Sequence, residues 1–232
     1  MTYAIFTYAT DAACLDLCIR QVRRVDPHAF IAIFDDENHP LPTRPDCEHY
    51  RRTTWPRGGN LVGIPCIIGM LSAYIEAMDA AGTDSIVKLD ADTLLLTLDG
   101  LNAPAGATGY ESHETPLYAV GPCYSLHRQT VLLIADHIYS RPWQHARYPE
   151  DYTIFHLAMA LLPKEEWKLY PAPSGLIAGI GSGNEKEAAT LLSAGLHFIH
   201  CGEPEQHLGK RRRRLRADVA QAMLTFDRLL SA

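Results

Sequence analysis

The six cysteines are scattered, and no two form a Cys-x-x-Cys pair. That excludes a zinc ribbon or dithiol redox motif and leaves no disulfide framework to read. Cys14 and Cys18, four apart in a helical pattern, read as small apolar packers. Positive charge is not in excess: the net charge is −6 and the pI about 6.0, so nucleic acid is not expected as a partner. The N-terminus has no basic leader, since Met1-Thr2-Tyr3-Ala4-Ile5-Phe6-Thr7 runs straight into a strand pattern. No unbroken apolar run of about 18 residues is read, so no membrane span is expected, and a reducing, cytoplasmic location is. Repeats and Pro/Gly linkers are also missing. The 232 residues therefore read as a single α/β domain.

Within that frame the apolar residues are ordered. Tyr3 to Thr7 reads as a buried strand. Thr10 or Asp11 can cap a helix whose apolar stripe is Cys14, Leu15, Cys18, Ile19 and Val22. After Pro27, residues Ala29 to Phe34 form a second strand ending at Asp35-Asp36, which makes a βαβ unit and a parallel pair. A Pro-rich, polar stretch follows, with a short strand near His49-Tyr50-Arg51. Gly58-Gly59-Asn60 leads to a helix with Ile64, Ile67, Ile68, Leu71, Ile75 and Met78 on one face and Pro65 in its first turn. Ser85 to Leu89 is the next buried strand. Farther on, extended runs at Leu117–Val120 and Cys123–Leu126 precede a helix from Arg128 to about His137, and Pro149-Glu150-Asp151 opens another. Gly175 to Gly183 reads as a flexible segment, Leu196 to His200 as a late strand. The closing helix carries Leu215, Val219, Ala222, Phe226 and Leu229.

Candidate chemistry gathers at strand ends, where open parallel sheets bind ligands. Asp90-Ala91-Asp92 follows the third long strand, and carboxylates two apart at a strand tip suit Mg²⁺ or Mn²⁺ with positions left for phosphate oxygens. The same triplet, like Asp35-Asp36, is also compatible with a plain turn. Two carboxylates leave such a cation short of protein ligands. His200, at the end of the late strand, can supply one, whereas His197 faces the other side. Lys210-Arg211-Arg212-Arg213-Arg214-Leu215-Arg216 is the one charge block. It reads as a solvated helix start, or as a peripheral contact to anionic lipid or diphosphate.

The ordered set of Tyr3–Thr7, Asp35, Arg57-Gly58-Gly59-Asn60, Val87-Lys88-Leu89-Asp90-Ala91-Asp92, Pro149-Glu150-Asp151-Tyr152 and His200 resembles the GT-A glycosyltransferases, which use nucleotide-sugar donors. The resemblance implies a GT-A-like single domain with a mostly parallel central sheet. Residues 1–96 would be its nucleotide-binding half, and 97–232 an acceptor-side half with the C-terminal helix. It further implies a metal held by Asp92, Asp90 and His200, and donor contacts from Thr7, Tyr8, Asp35, Arg57, Asn60, Asp90 and Lys210. It favours a UDP-sugar and hexosyl transfer, with a glycan, lipid-linked or protein acceptor. Inverting members often place a Glu-Asp pair beside the acceptor, which Glu150-Asp151 resembles, with Asp151 as base. Acidic residues also favour a helix N-terminus for electrostatic reasons alone. A glycogenin-like late motif is only partly present: His200, Gly202 and Gly209-Lys210 stand without the following Pro-Trp, so inverting and retaining outcomes both stay open. Tyr110 to Glu114 and Trp143 are candidates for shaping an acceptor pocket.

Two rivals remain. An aspartate-nucleophile phosphatase also places Asp-x-Asp after a strand, but wants Thr or Val two residues past the second Asp, where Leu94 stands. A non-catalytic sugar-nucleotide-binding protein would carry the same donor residues. A nucleotidyltransferase is disfavoured, because Thr7-Tyr8-Ala9-Thr10-Asp11 lacks a Gly-rich basic loop.

Overall fold

The computed structural model describes residues 1–56, 63–101, 106–111, 121–141, 148–171, 185–201 and 216–231, and the backbone of 175–177, 205–207 and 210–212. Strand β1 (Thr2–Thr7) is buried along its whole length because the sheet is covered on both faces. Side chains alternate along a strand. Tyr3 and Ile5 therefore enter one core with helix α1 (Ala12–Val25), while Ala4 and Phe6 enter a second with α2 (Ile64–Ala81). Burying one such large apolar side chain contributes ~1.5–3 kcal/mol.

Strands β2 (Phe30–Asp36) and β4 (Ser85–Asp90) flank β1 in parallel, and β3 (His49–Thr53) lies parallel outside β2. Beyond β4 come the antiparallel β7 (Cys123–His127), then β6 (Ala107–Tyr110) and β8 (Trp167–Tyr170). The seven-stranded order is β3-β2-β1-β4-β7-β6-β8. Helices α2, α3 (Arg128–Ser140) and α4 (Glu150–Leu161) pack on one face. Helices α1, α5 (Glu185–Leu192) and α6 (Arg216–Ser231) pack on the other. A smaller sheet, β5-β10-β9, joins β5 (Thr93–Leu95) to β10 (Phe198–His200) and β9 (Gly175–Ile177). Strands β11 (Glu205–His207) and β12 (Lys210–Arg212) form a two-stranded ribbon.

Several expectations need correction. Gly175 to Ile177 is not part of a flexible segment but a strand parallel to β10; residues 178–183 lie outside the described ones, as do Leu117 to Val120. The buried face of α2 is Cys66, Ile67, Met70, Leu71, Ala73, Tyr74, Ala77 and Met78, while Ile64, Ile68 and Ile75 are only partly covered. This helix is apolar nearly all round, so spacing does not choose its face; Ala73 and Ala77 let it lie close on the sheet. By length and composition α2 also passes as a membrane span, contrary to the sequence reading, yet half of it is buried inside the fold. Strand β2 ends at Asp35 and Asp36, as the sequence reading has it. At the start of α1, Asp11 makes no side-chain cap hydrogen bond.

Candidate functional site

Parallel pairing aligns the strand ends: Phe6 lies beside Asp90, and Thr7 beside Asp35. Antiparallel pairing of β5 with β10 sets His200 against Thr93, and the Cys201 N–H donates to the Asp92 carbonyl at 3.0 Å. A residue 108 positions away in sequence is thus brought to the carboxylate by backbone pairing alone. Asp90, Asp92 and His200 each offer a ligand atom, all within 4.8 Å of one another. Carboxylate and imidazole donors at that spacing fit a Mn²⁺- or Mg²⁺-type cation.

Asp92 is buried at 6% exposure, with His200 Nδ1 3.3 Å from one oxygen and Arg216 Nη1 2.5 Å from the other. Burial alone would raise its carboxyl; the His200 and Arg216 charges outweigh burial and hold it below the usual carboxylate range. Thr93 Oγ1 lies 3.1 Å from the same His200 nitrogen. Arg216, at the first position of α6, also reaches Asp11 Oδ1 at 3.0 Å. Burial pushes Asp11 up to about 6, partly opposed by Arg216. On its other oxygen Asp11 accepts from the Tyr8 N–H at 3.3 Å and from Thr7 Oγ1 at 3.5 Å. Tyr8, its hydroxyl raised by burial and by Asp11, borders the group.

A second cation lies behind Asp90. Lys88, on the same side of β4, is 2% exposed and donates to Asp90 Oδ1 and to the Gly121 carbonyl, each at 2.5 Å. Its Nζ is 3.2 Å from Glu150 Oε1, close enough for an ion pair but not aligned as a hydrogen bond. Desolvation alone would lower the ammonium; Asp90 and Glu150 more than reverse this and keep it charged. Burial pushes Glu150 up to about 8 despite Lys88. Asp151 is raised as well, again by burial, and accepts from the Tyr152 N–H at 2.7 Å. A Cβ on Gly121 would lie 2.9 Å from Asp151 Oδ2, so only glycine leaves Asp151 its place.

Of the expected site residues, Asp90, Asp92 and His200 converge, and Glu150 and Asp151 are joined to them through Lys88. Thr7 is fully buried, with its hydroxyl turned to Asp11. Asp35, expected by resemblance to contact the donor, has close protein partners. It is fully buried, and its oxygens accept from the Leu41 N–H at 2.9 and 3.2 Å and from the Tyr50 hydroxyl at 2.6 Å, which ties down the loop after β2. Arg57, Asn60 and the Lys210 side chain lie outside the described residues, as do Ser112 to Glu114 and Trp143. Arg216 departs from the reading of an outward-facing basic block, because it turns inward onto two carboxylates. Sequence reasoning missed Lys88, Asp11 and Arg216 as members of the site. A lysine inside an apolar strand, on the same side as Asp90, was the available signal; Arg216 was marked only as the end of the basic block, and nothing local shows its pairing with Asp11 and Asp92.

No protein-family model and no curated protein sequence matches the chain. Solved structures do match it in shape. A glycosyltransferase involved in the glycosylation of the major capsid of PBCV-1 superposes with a TM-score of 0.53 at 13% identity, over 96% of this chain and 98% of that one. The galactosyltransferase LgtC, solved with donor and acceptor sugar analogs, gives 0.56 at 11% identity, over 100% and 97%. The α/β fold is that of GT-A-type glycosyltransferases.

Proposed function

We propose that the chain is a metal-dependent glycosyltransferase that moves a hexosyl unit from a nucleoside-diphosphate sugar, a UDP-sugar by preference, to a hydroxyl of a glycan or glycosylated acceptor. The observation that carries this reading is the convergence of Asp90, Asp92 and His200 at the strand ends of a sheet shared with glycosyltransferases. Asp92 and His200 would anchor a divalent ion, with the more open Asp90 on its exposed side. Bound there, the ion would neutralise the diphosphate leaving group as a Lewis acid. Tyr8, directly after β1, would contact the nucleoside. Glu150 and Asp151 stand at the N-terminus of α4 on the other side of Lys88. Burial raises the proton affinity of Asp151, as a base for an acceptor hydroxyl requires in an inverting transfer.

The test is a thermal-shift titration with UDP and other nucleoside diphosphates, with and without Mn²⁺. A ligand at a hundred times its dissociation constant stabilises by ~2.7 kcal/mol, which a transition of this size reports clearly. The wild type should respond to UDP with Mn²⁺ and much less to either alone. Asp92→Asn should abolish the response while leaving a cooperative transition, and His200→Ala should weaken metal affinity by roughly 10–100-fold. A full Mn²⁺-linked response in Asp92→Asn would overturn the assignment.

A further inference from the structure

The metal-dependent reading leaves Arg216 unexplained. Its guanidinium joins Asp92 to Asp11, and both carboxylates are buried, at 6% and 2% exposure. It occupies the Asp92 oxygen that His200 does not face. Ion-paired to two acids, the guanidinium is held firmly in its charged form. Lys88 does the same for Asp90 from behind. Four carboxyl groups, Asp11, Asp90, Asp92 and Glu150, therefore share two fixed cations, which offset much of the negative charge a dication would meet.

We propose that Arg216 is an internal counter-cation of Asp92, which competes with a divalent ion and thereby couples metal binding to the diphosphate of the donor. A guanidinium and a metal ion drawn to one carboxylate repel each other, so the ion alone binds weakly. A diphosphate relieves that repulsion from both sides. Its oxygens ligate the ion, and they accept from the planar N–H fork of an arginine, whose geometry suits phosphate. Asp11 keeps Arg216 at the site while Asp92 is handed over. Because α6 begins at Arg216, the exchange also bears on how that helix is pinned to the start of α1.

Coupling of this kind is reciprocal and can be measured without turnover. Mn²⁺ affinity is determined by calorimetry with and without UDP, in wild type, Arg216→Ala, Arg216→Gln and Arg216→Lys. The wild type should bind Mn²⁺ weakly alone and more tightly with UDP, by a factor within the usual coupling range of about 5–150. Arg216→Ala should bind Mn²⁺ alone about tenfold more tightly, and the gain from UDP should shrink by a similar factor. Arg216→Gln, which keeps bulk, should behave like alanine, and Arg216→Lys, which keeps charge but loses the fork, should bind Mn²⁺ alone as weakly as wild type and keep only part of the gain from UDP. In chelator, Arg216→Ala should melt below wild type and recover on adding Mn²⁺. Unchanged or weaker Mn²⁺ binding in both neutral variants overturns the role of Arg216. Failure of wild type to bind Mn²⁺ with or without UDP overturns the metal-dependent reading itself.

Discussion

A lysine in the middle of a buried strand is costly, and Lys88 sits at 2% exposure between Val87 and Leu89. Buried charges persist only when paired and hydrogen-bonded. Lys88 has Asp90, the Gly121 carbonyl and Glu150 around it, with the Tyr124 ring 5.7 Å away. Removing one member of such a group leaves the others uncompensated. Lys88→Met should therefore destabilise by roughly 3–5 kcal/mol, the usual cost of breaking a buried pair. At a pH above about 8, where Glu150 is ionised beside Lys88, adding Glu150→Gln should restore part of the loss, since one acid without its cation disappears, and a double-mutant cycle by urea denaturation reads the coupling. Strictly additive effects would show that Lys88 and Glu150 do not interact. The residue stood in plain view within Ile86-Val87-Lys88-Leu89, and strand alternation alone puts it on the side of Asp90. Its partners were not legible, because Glu150 and Gly121 arrive from other parts of the chain.

At the scale of the element, α4 carries the least settled chemistry. Glu150 and Asp151 open the helix, where acids are favoured by its dipole whether or not they react. The two differ in placement: Glu150 is turned in toward Lys88, while Asp151 rests on Gly121. If Asp151 is the base of an inverting transfer, Asp151→Asn should lower turnover by about 10²–10⁴ and leave UDP affinity unchanged. Glu150→Gln should cost far less. Equal small effects would reduce the pair to a helix start, and product of retained anomeric configuration would remove the base role. Elements with a full period of apolar residues, β1, α1, β2, α2 and β4, were legible in sequence, and with them the strand ends that carry Asp90 and Asp92. The three-residue strands β5, β9 and β10 hold too few positions to show alternation, and their partners lie far along the chain. His200 was reachable as a late strand end, but its contact with Asp92 is made by that small sheet. Asp11 read as a cap because Asp before an apolar helix usually is one, but its backbone is already helical and its side chain accepts from the Tyr8 N–H behind it.

Across the whole molecule the unusual carboxyls set an unusual pH dependence. Glu150, pushed up to about 8 by burial, and Asp11, pushed up to about 6 by burial, each bind a proton more tightly in the fold than in the unfolded chain. Stability changes with pH in proportion to protons bound by the unfolded minus the folded state. For both groups that difference is negative between the ordinary carboxyl range and the raised value. Their contribution is therefore greatest at low pH and is lost as pH rises. Asp92 acts in the opposite sense, because its lowered carboxyl favours the fold above the ordinary range and ceases to do so as pH falls. Asp11 is half titrated near 6 and is common to wild type and Glu150→Gln, so the difference between them from about pH 6 to 8 belongs to Glu150. In chelator, the melting temperature of wild type should drop across that interval more steeply than that of Glu150→Gln. The two curves should become parallel only about one pH unit above the raised Glu150 value, where wild type has lost the proton in both states. Every other ionisable group is common to both proteins, so the difference curve isolates Glu150. Parallel curves from pH 6 to 8 would mean that Glu150 is ionised at neutral pH and fully compensated by Lys88.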